Sequence, residues 1–506
     1  KKMILNGLVF FQIILIICFI SFNYSMKLVQ VSIVSRHGIR TPYPPDNGTV
    51  TDFTSYTNKI FPDNTSWGMT YEAFADQHLT PHGEKILPYM GSYYYERFIN
   101  DSLDLSLCNN IITFADDSSR DIITSSLWLQ GFGCPNIPVN VVNSTDNPDM
   151  QPILSDHYYS GCPVATEDQV NGLYGGNVDA LTDMYFEEIQ AVTNILNMPS
   201  DAYICQYANP NFDPKTQSCT LFETGYTWTG LYYQGMFKSP LYYAQYFAEA
   251  WMFQYLSNLT DWGFNLITYN QLGNLYQMHI ETLWFGTNYW NALAYSSQQL
   301  GYILTTMEQY ITKKRIKGIS KLQSVDTQLL LLVSHDTNIL YLQRLLDLNW
   351  IPMGFSNRIA TTSGTLSFEL WQDENNDYFV KLHYDAARPD QQRNAEVLSL
   401  ENPPAVSELI IPECGTLYCP YETFKSIVLD IINTQCIEEP LQSSIESMKS
   451  NKNSSDNKKH WKNWEIILLT VGICAVVFGI VNSIAFFIFR QKKDGDNLLL
   501  HGDQKH

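Results

Sequence analysis

Charge is scarce in this chain, and positive charge scarcer still. Charged residues make up 16% of the 506, with 31 Lys and Arg against 51 Asp and Glu, for a formal net charge of -20; an ordinary soluble domain is roughly 25% charged. A surface this negative repels phosphate backbones at long range, which excludes nucleic acid as a partner. Any anionic substrate must be drawn in by a local cluster of arginines. The sequence also has no HExxH, no EF-hand loop, no Walker glycine loop and no internal repeat, so the common metal- and nucleotide-binding signatures are missing. What it has in plenty is apolar and aromatic residues, 45% and 14%. They mark a folded chain able to bury one large core or two.

Two apolar runs place the chain on a membrane. Lys1 and Lys2 precede the run Ile4 to Ile20, followed by small and polar residues from Ser21 to Ser25, which reads as a secretory signal peptide over 1–25 with the mature chain starting near Met26. Ile466 to Phe489 carries no charge and, at about 1.5 Å per helical residue, reaches about 36 Å, enough to cross a bilayer core. Arg490, Lys492 and Lys493 follow it at once and put the tail, 490–506, in the cytoplasm, although Lys458, Lys459 and Lys462 on the other flank weaken that signal. The expected product is a single-pass type I membrane protein with its large N-terminal part in a lysosomal or vacuolar lumen or outside the cell. Asp494 to Leu499 is similar to an acidic dileucine sorting signal, set against an ordinary polar tail as the alternative.

Ten cysteines are present. Cys18 and Cys474 lie in the two apolar runs, and the other eight suit disulfides in an oxidising compartment, with about 105 connectivities open to sequence alone. Asn47, Asn64, Asn100, Asn143, Asn258 and Asn453 head N-glycosylation tripeptides on the same side.

The stretch from Lys27 to Ser35 alternates β-branched residues as a strand does and ends on Arg36-His37-Gly38. Two later stretches repeat that design. Asn110 to Ala115 runs into the polar corner Asp116 to Arg120, and Gln328 to Val333 runs into Ser334-His335-Asp336; a helical pattern follows each corner. Near-continuous apolar strands alternating with helices predict an α/β fold with a mainly parallel sheet flanked by helices. In such sheets, sites form beyond the carboxyl ends of the strands. Residues 143–290, rich in Tyr, Trp and Asn, read as an inserted, mostly helical cap on a domain spanning 26–440. Residues 441–465 read as a polar stalk.

Arg36-His37-Gly38-Ile39-Arg40-Thr41-Pro42 puts an imidazole between two guanidiniums at the end of the first strand. Gly38 would let backbone and ligand approach closely. The anionic oxygens of a phosphate monoester repel a nucleophile, and planar arginine forks neutralise them and fix the phosphorus for attack. A neutral imidazole nitrogen is then a competent nucleophile. Arg120 stands in the second corner, where a solvated loop arginine is the plain alternative. Asp336 offers a carboxyl that holds a proton beside phosphate, or else an N-cap for a helix starting at Thr337.

Arg36 to Pro42 resembles the RHGxRxP signature of histidine acid phosphatases, and His335-Asp336 their HD element, in the right order. Leu79 to Gly83 resembles the family's LTxxG turn, and Asp116 to Gly131 the segment with its third phosphate-binding arginine; the likeness covers about Lys27 to Cys436. It implies a phosphoglycerate-mutase-like α/β fold with a cap, and hydrolysis of small phosphomonoesters without cofactor or metal. His37 would attack phosphorus; Arg36, Arg40, Arg120 and His335 would hold the phosphate; Asp336 would protonate the leaving group and later activate water. The family's terminal cysteine pattern implies Cys414–Cys419 and Cys162–Cys436, with Cys205–Cys219 and Cys108–Cys134 as local pairs for the rest. A homodimer stays open. Phosphoglycerate-mutase-type transfer fits poorly behind a signal peptide, and phytase activity is disfavoured because the cap's basic residues are only Lys215 and Lys238. A catalytically inactive binding module would have lost a site residue, and none is missing.

Overall fold

A computed structural model of the chain describes residues 26–43, 53–142, 162–176, 179–209, 211–230 and 237–451. The strands are β1 (Lys27–Arg36), β2 (Ile111–Asp116), β3 (Val139–Val142), the short pair β4 (Thr227–Trp228) and β5 (Phe237–Lys238), then β6 (Leu329–Ser334), β7 (Thr365–Gln372), β8 (Tyr378–Ala386), β9 (Ala405–Leu409) and β10 (Cys419–Pro420). The fold is mixed α/β with a mainly parallel central sheet. In it β1, β6, β2 and β3 lie side by side and all run parallel. Beyond β1 the sheet is extended by β7, β8, β9 and β10 in antiparallel pairing, an addition that strand patterning did not announce. Because β6 pairs with both β1 and β2, the three polar corners at their carboxyl ends become neighbours.

Alternation along the strands explains how both faces are covered. Val31, Ile33, Leu329, Leu331 and Val333 point to one side and join Tyr94, Phe98, Trp128 and Phe132 from the helices Pro81–Asn100 and Ser119–Gly131. On the other side Phe114 meets Tyr302 of the helix Tyr289–Thr312, and Phe368 meets Phe424 of the helix Tyr421–Ile431. A strand buried on both faces tends to be apolar throughout, as Leu329 to Val333 are.

The cap is mostly helical, as the sequence suggests. Its central helix, Pro240–Leu256, starts at Ser239, whose hydroxyl accepts from the Tyr242 amide at 3.2 Å, and it is buried on nearly every side. A helix apolar all round belongs inside a core. That core also takes in Ile39, Phe53, Tyr56, Trp67, Phe74 and Ile86, so the cap rests on a second piece of chain, from the end of β1 into the helix Pro81–Asn100, that the 143–290 boundary leaves out. Four disulfides are formed: Cys108–Cys134, Cys162–Cys436, Cys205–Cys219 and Cys414–Cys419. All four are the pairs suggested from the sequence.

Residues 441–451 are helical, and Leu441 and Ile445 are fully buried, against Gly318 and Gly301. A stalk therefore cannot begin at 441, because two apolar side chains there have found a core. Residues 1–445 form one compact unit and 446–506 a second, described only as far as 451. Among the described residues no helix is long and apolar enough to cross a membrane; the signal-peptide, transmembrane and cytoplasmic-tail readings all lie outside them. Of the glycosylation tripeptides, Asn100 and Asn258 are exposed, whereas the Asn64 amide donates to the Met69 carbonyl at 3.0 Å.

Behind the sheet's antiparallel half lies a buried ionic cluster. Arg97 pairs with Glu369, Arg97 Nη2 lies 3.1 Å from His383 Nε2, and Trp371 donates to Glu369 at 3.0 Å. The Tyr94 hydroxyl donates to Asp385 at 2.7 Å. Burial by itself would raise the Glu369 carboxyl, but Arg97 and His383 bring it from 4.5 down to about 2. A depressed carboxylate stabilises the fold above its unfolded value, and that contribution, on the order of 3 kcal/mol, fades as pH falls towards 2. We expect Glu369→Gln to lower the melting temperature strongly at pH 6 and far less at pH 2.5. Thermal unfolding at the two pH values checks this, and an equal loss at both would contradict it.

Candidate active site

His37 follows the last residue of β1, with its amide bonded to the Ser334 carbonyl at 2.9 Å and its carbonyl accepting from Ser363 at 3.0 Å. The residue is 3% exposed, and Nδ1 of the ring donates to the Gly38 carbonyl at 2.8 Å. A carbonyl can only accept, so Nδ1 carries the proton and the lone pair is left on Nε2. Burial, followed by the charges of Arg120, Arg36 and Arg40, holds the imidazole pKa well below its ordinary value. His37 is a buried, neutral imidazole among three guanidiniums, which is the state a nitrogen nucleophile needs.

The turn resembling LTxxG fixes this loop. Thr80 donates its amide to the Ile39 carbonyl at 2.9 Å and caps the helix Pro81–Asn100 through the Gly83 amide at 3.0 Å, while Leu79 bridges to Arg40. A side chain at position 83 would stand 2.4 Å from the Ile39 oxygen; only glycine lets the helix start that close. Gly38 also has a packing reason that the sequence does not suggest. A Cβ there would meet Leu87 at 2.9 Å and Leu79 at 3.3 Å, so the missing side chain serves packing, and the Gly38 amide is bonded to Thr124 at 3.0 Å.

The structure brings all six sequence-predicted residues together. Arg36 donates to the Ala360 carbonyl at 2.7 Å and pairs with Asp336 at 2.8 Å. Arg40 lies over the rings of Tyr43 and Phe253, at 4.2 and 5.0 Å. Arg120, second in the helix Ser119–Gly131, stands 3.5 Å from His335 Nδ1, and the His335 and His37 rings are 5.7 Å apart. The Nε atoms of Arg36, Arg40 and Arg120 are all buried with no hydrogen-bond partner. Three guanidiniums whose charges act on one buried imidazole are suited to hold an anion.

Asp336 is the first residue of the helix Asp336–Leu345, so the helix begins one residue earlier than the capping alternative has it, with His335 at the cap position. One carboxylate oxygen accepts from the Thr337 amide at 2.8 Å and the other pairs with Arg36. Burial pushes its pKa up, but Arg36, His279 and His335 outweigh it and hold the group below its ordinary range.

Several neighbours escaped sequence reasoning. Asp116, which ends β2, holds His335 Nε2 at 2.7 Å. The cap sends in Glu249, whose Oε1 lies 3.5 Å from both Arg36 and Arg40 and 3.6 Å from His279 Nε2, and whose Oε2 is buried without a hydrogen bond. His279 in turn bonds Gln245 at 2.6 Å. Gln245, Glu249 and Phe253 recur every fourth residue on one helix, legible as a shared helix face but not as one aimed at a site 200 residues away. Asp116, Asp121 and His335 also place ligand atoms within 4.8 Å of one another, the one such group among the described residues; the Asp116–His335 hydrogen bond already uses two of its members.

Glu249 repels an anion held by the same arginines. At an effective dielectric near 20, a charge about 5 Å away is worth on the order of 3 kcal/mol. We expect Glu249→Gln to tighten inhibition by inorganic phosphate about tenfold, roughly 1.4 kcal/mol, as read from inhibition constants at fixed pH. Weaker inhibition would mean that the carboxylate mainly orients the arginines.

A mainly parallel α/β sheet with a helical cap, and a histidine among buried arginines at the strand ends, define a protein built to handle phosphate. Residues 27–385 match the Histidine phosphatase superfamily (branch 2), and the chain belongs to that family. A phytase of Escherichia coli is 22% identical over 402 residues, covering 77% of this chain and 87% of that protein. A glucose-1-phosphatase of Providencia rettgeri is 26% identical over 433 residues, covering 80% and 91%. The Hafnia alvei phytase structure in complex with tartrate shares the fold with a TM-score of 0.65 at 20% identity, covering 82% of this chain and 99% of that one.

Proposed function

We propose that this protein is an acid phosphatase that hydrolyses phosphate monoesters through a phosphohistidine on His37. The observation that carries the reading is the buried, neutral His37, with Nδ1 bonded to the Gly38 carbonyl, Nε2 left with the lone pair, and the charges of Arg120, Arg36 and Arg40 acting on its ring. The arginines and His335 clasp the phosphate oxygens and spread their charge. Nε2 attacks phosphorus as the ester P–O bond breaks, and Asp336 gives its proton to the departing oxygen. Water then attacks the phosphohistidine and returns a proton to Asp336; inorganic phosphate leaves and His37 is restored. None of these steps draws on a cofactor.

The second reading is phytase activity, which the names of the relatives favour. Against it stands the composition of the cap. Among the described residues no cap lysine or arginine contacts the site, and the charged group that does is Glu249, which disfavours a substrate with many phosphates. The test is phosphate release from 4-nitrophenyl phosphate, glucose 1-phosphate and myo-inositol hexakisphosphate between pH 4 and 7, with and without chelator. Preference for the small esters supports the first reading and preference for the hexakisphosphate the second. A folded protein that turns over none would be a binding module.

We place the phosphatase domain on the luminal or external side of a membrane, as a type I protein held by 466–489. The four disulfides support an oxidising compartment. Resistance of the domain to protease in sealed vesicles, lost on adding detergent, is the outcome expected for a luminal domain.

A further inference from the structure

The two cap helices that bring Glu249 and His279 to the site share an omission. Pro240–Leu256 and Tyr269–Gly286 have no basic residue in their last turns, although the open carbonyls and negative dipole end of a helix favour a cation there. Each cation is instead supplied by the sheet domain. Arg393, in the helix Pro389–Asn394, donates to the Tyr255 carbonyl at 2.5 Å and the Leu259 carbonyl at 3.1 Å, and its guanidinium lies 4.6 Å from the centre of the Tyr255 ring. Arg344, in the last turn of Asp336–Leu345, donates to the Thr287 and Trp284 carbonyls at 3.2 Å each and lies 3.2 Å from the centre of the Trp284 ring. Two unrelated body arginines thus make a similar attachment: one hydrogen bond to a carbonyl in the last turn of a cap helix, a second to a carbonyl just past its end, and a face stacked on an aromatic ring of that helix.

We propose that Arg393 and Arg344 are positioning residues that clamp the cap helices to the sheet domain and thereby set Glu249 and His279 against Arg36 and Arg40. The assignment rests on the phosphatase reading for its meaning, but the clamps are testable without turnover. The geometry gives them leverage. From Tyr255 back to Glu249 is about 9 Å of helix, and from Trp284 back to His279 about 7.5 Å, at 1.5 Å per residue. A helix is stiff over that length, so a small shift at the clamped end moves Glu249 or His279 by a comparable amount. Glu249 stands 3.5 Å from each arginine, a spacing at which a shift of 1 Å changes the charge interaction appreciably. Arg344 also joins one end of its helix to the cap while Asp336 stands at the other end, so one rigid element connects the catalytic carboxyl to the cap.

The test uses the full chain with Arg393→Met, Arg344→Met and the conservative Arg393→Lys, and reads inorganic phosphate binding by calorimetry together with backbone amide exchange. Arg393→Met is expected to speed exchange in 250–259, leave the sheet strands unchanged, and tighten phosphate binding at least fivefold, towards the value for Glu249→Gln. In the Glu249→Gln background the same change should have no further effect on phosphate, because the clamp acts through that carboxylate. Arg344→Met is expected to speed exchange in 281–287, and Arg393→Lys to fall between the wild type and Arg393→Met. Additive effects of Arg393→Met and Glu249→Gln would overturn the proposal, as would unchanged exchange at both helix ends. Should Arg393→Met fail to fold, an Arg393→Lys variant with wild-type exchange and phosphate affinity overturns it equally. If the wild type hydrolysed no monoester at all, the function would fall while both readouts still decided the clamps.

Discussion

Replacing His37 with alanine is expected to lower kcat for 4-nitrophenyl phosphate at least ten-thousand-fold, more than about 5 kcal/mol of transition-state stabilisation, while phosphate still binds within a few fold of the wild type. The two halves of that result separate the nucleophile from the groups that hold the substrate. Arg36, Arg40 and Arg120 stay in place without the ring, since Arg36 is anchored on Ala360 and Asp336 and Arg40 is stacked on Tyr43 and Phe253. The lost Nδ1 bond to Gly38 is a local one, and the Gly38 amide keeps its bond to Thr124. A short reaction stopped in alkali, where phosphohistidine persists, should give a labelled phosphoenzyme with the wild type and none with His37→Ala. A variant retaining a tenth of the wild-type rate would mean that water attacks phosphorus directly and that the imidazole serves only to position.

How much of this was legible in the sequence depends on how locally each feature is encoded. The three strand-corner-helix units were legible because apolar runs and polar corners sit next to one another in the chain, and the structure places β1, β2 and β6 where those runs fall. The six residues at the corners were legible for the same reason. Asp116 sat in plain view in the second corner, but only the fold shows that it faces His335 rather than solvent. Glu249 carries no local mark; one acidic residue in a helix such as Tyr-Phe-Ala-Glu-Ala-Trp reads as a surface position until the helix proves to be buried on nearly every side. The antiparallel extension was hidden because β7 to β10 are recognised by whom they pair with, which composition does not encode. Gly38 was legible as a constraint, but its packing role was not, since Leu87, the side chain it makes room for, lies on the helix Pro81–Asn100.

Replacing Asp336 with asparagine is expected to divide substrates by their leaving groups. For an alkyl phosphate, whose alkoxide leaves only with a proton, kcat should fall about a thousandfold; for 4-nitrophenyl phosphate, whose phenolate leaves unaided, by about tenfold or less. The pH dependence carries the same argument further. In the free site Asp336 is held below its ordinary pKa, with burial outweighed chiefly by Arg36, so at the outset the proposed acid is a carboxylate paired with an arginine. A phosphate entering between them takes a share of Arg36 and sets negative oxygens beside Asp336, and both changes raise the carboxyl pKa. Substrate thus loads the proton that the leaving group requires. The profile of kcat/KM reports the free enzyme and that of kcat the bound complex, so for an alkyl phosphate the alkaline limb of kcat should lie at higher pH than that of kcat/KM. Asp336→Asn should abolish the limb in kcat. Coincident limbs in the wild type would mean that the proton arrives with the substrate as a monoanion, leaving Asp336 to hold Arg36 in place.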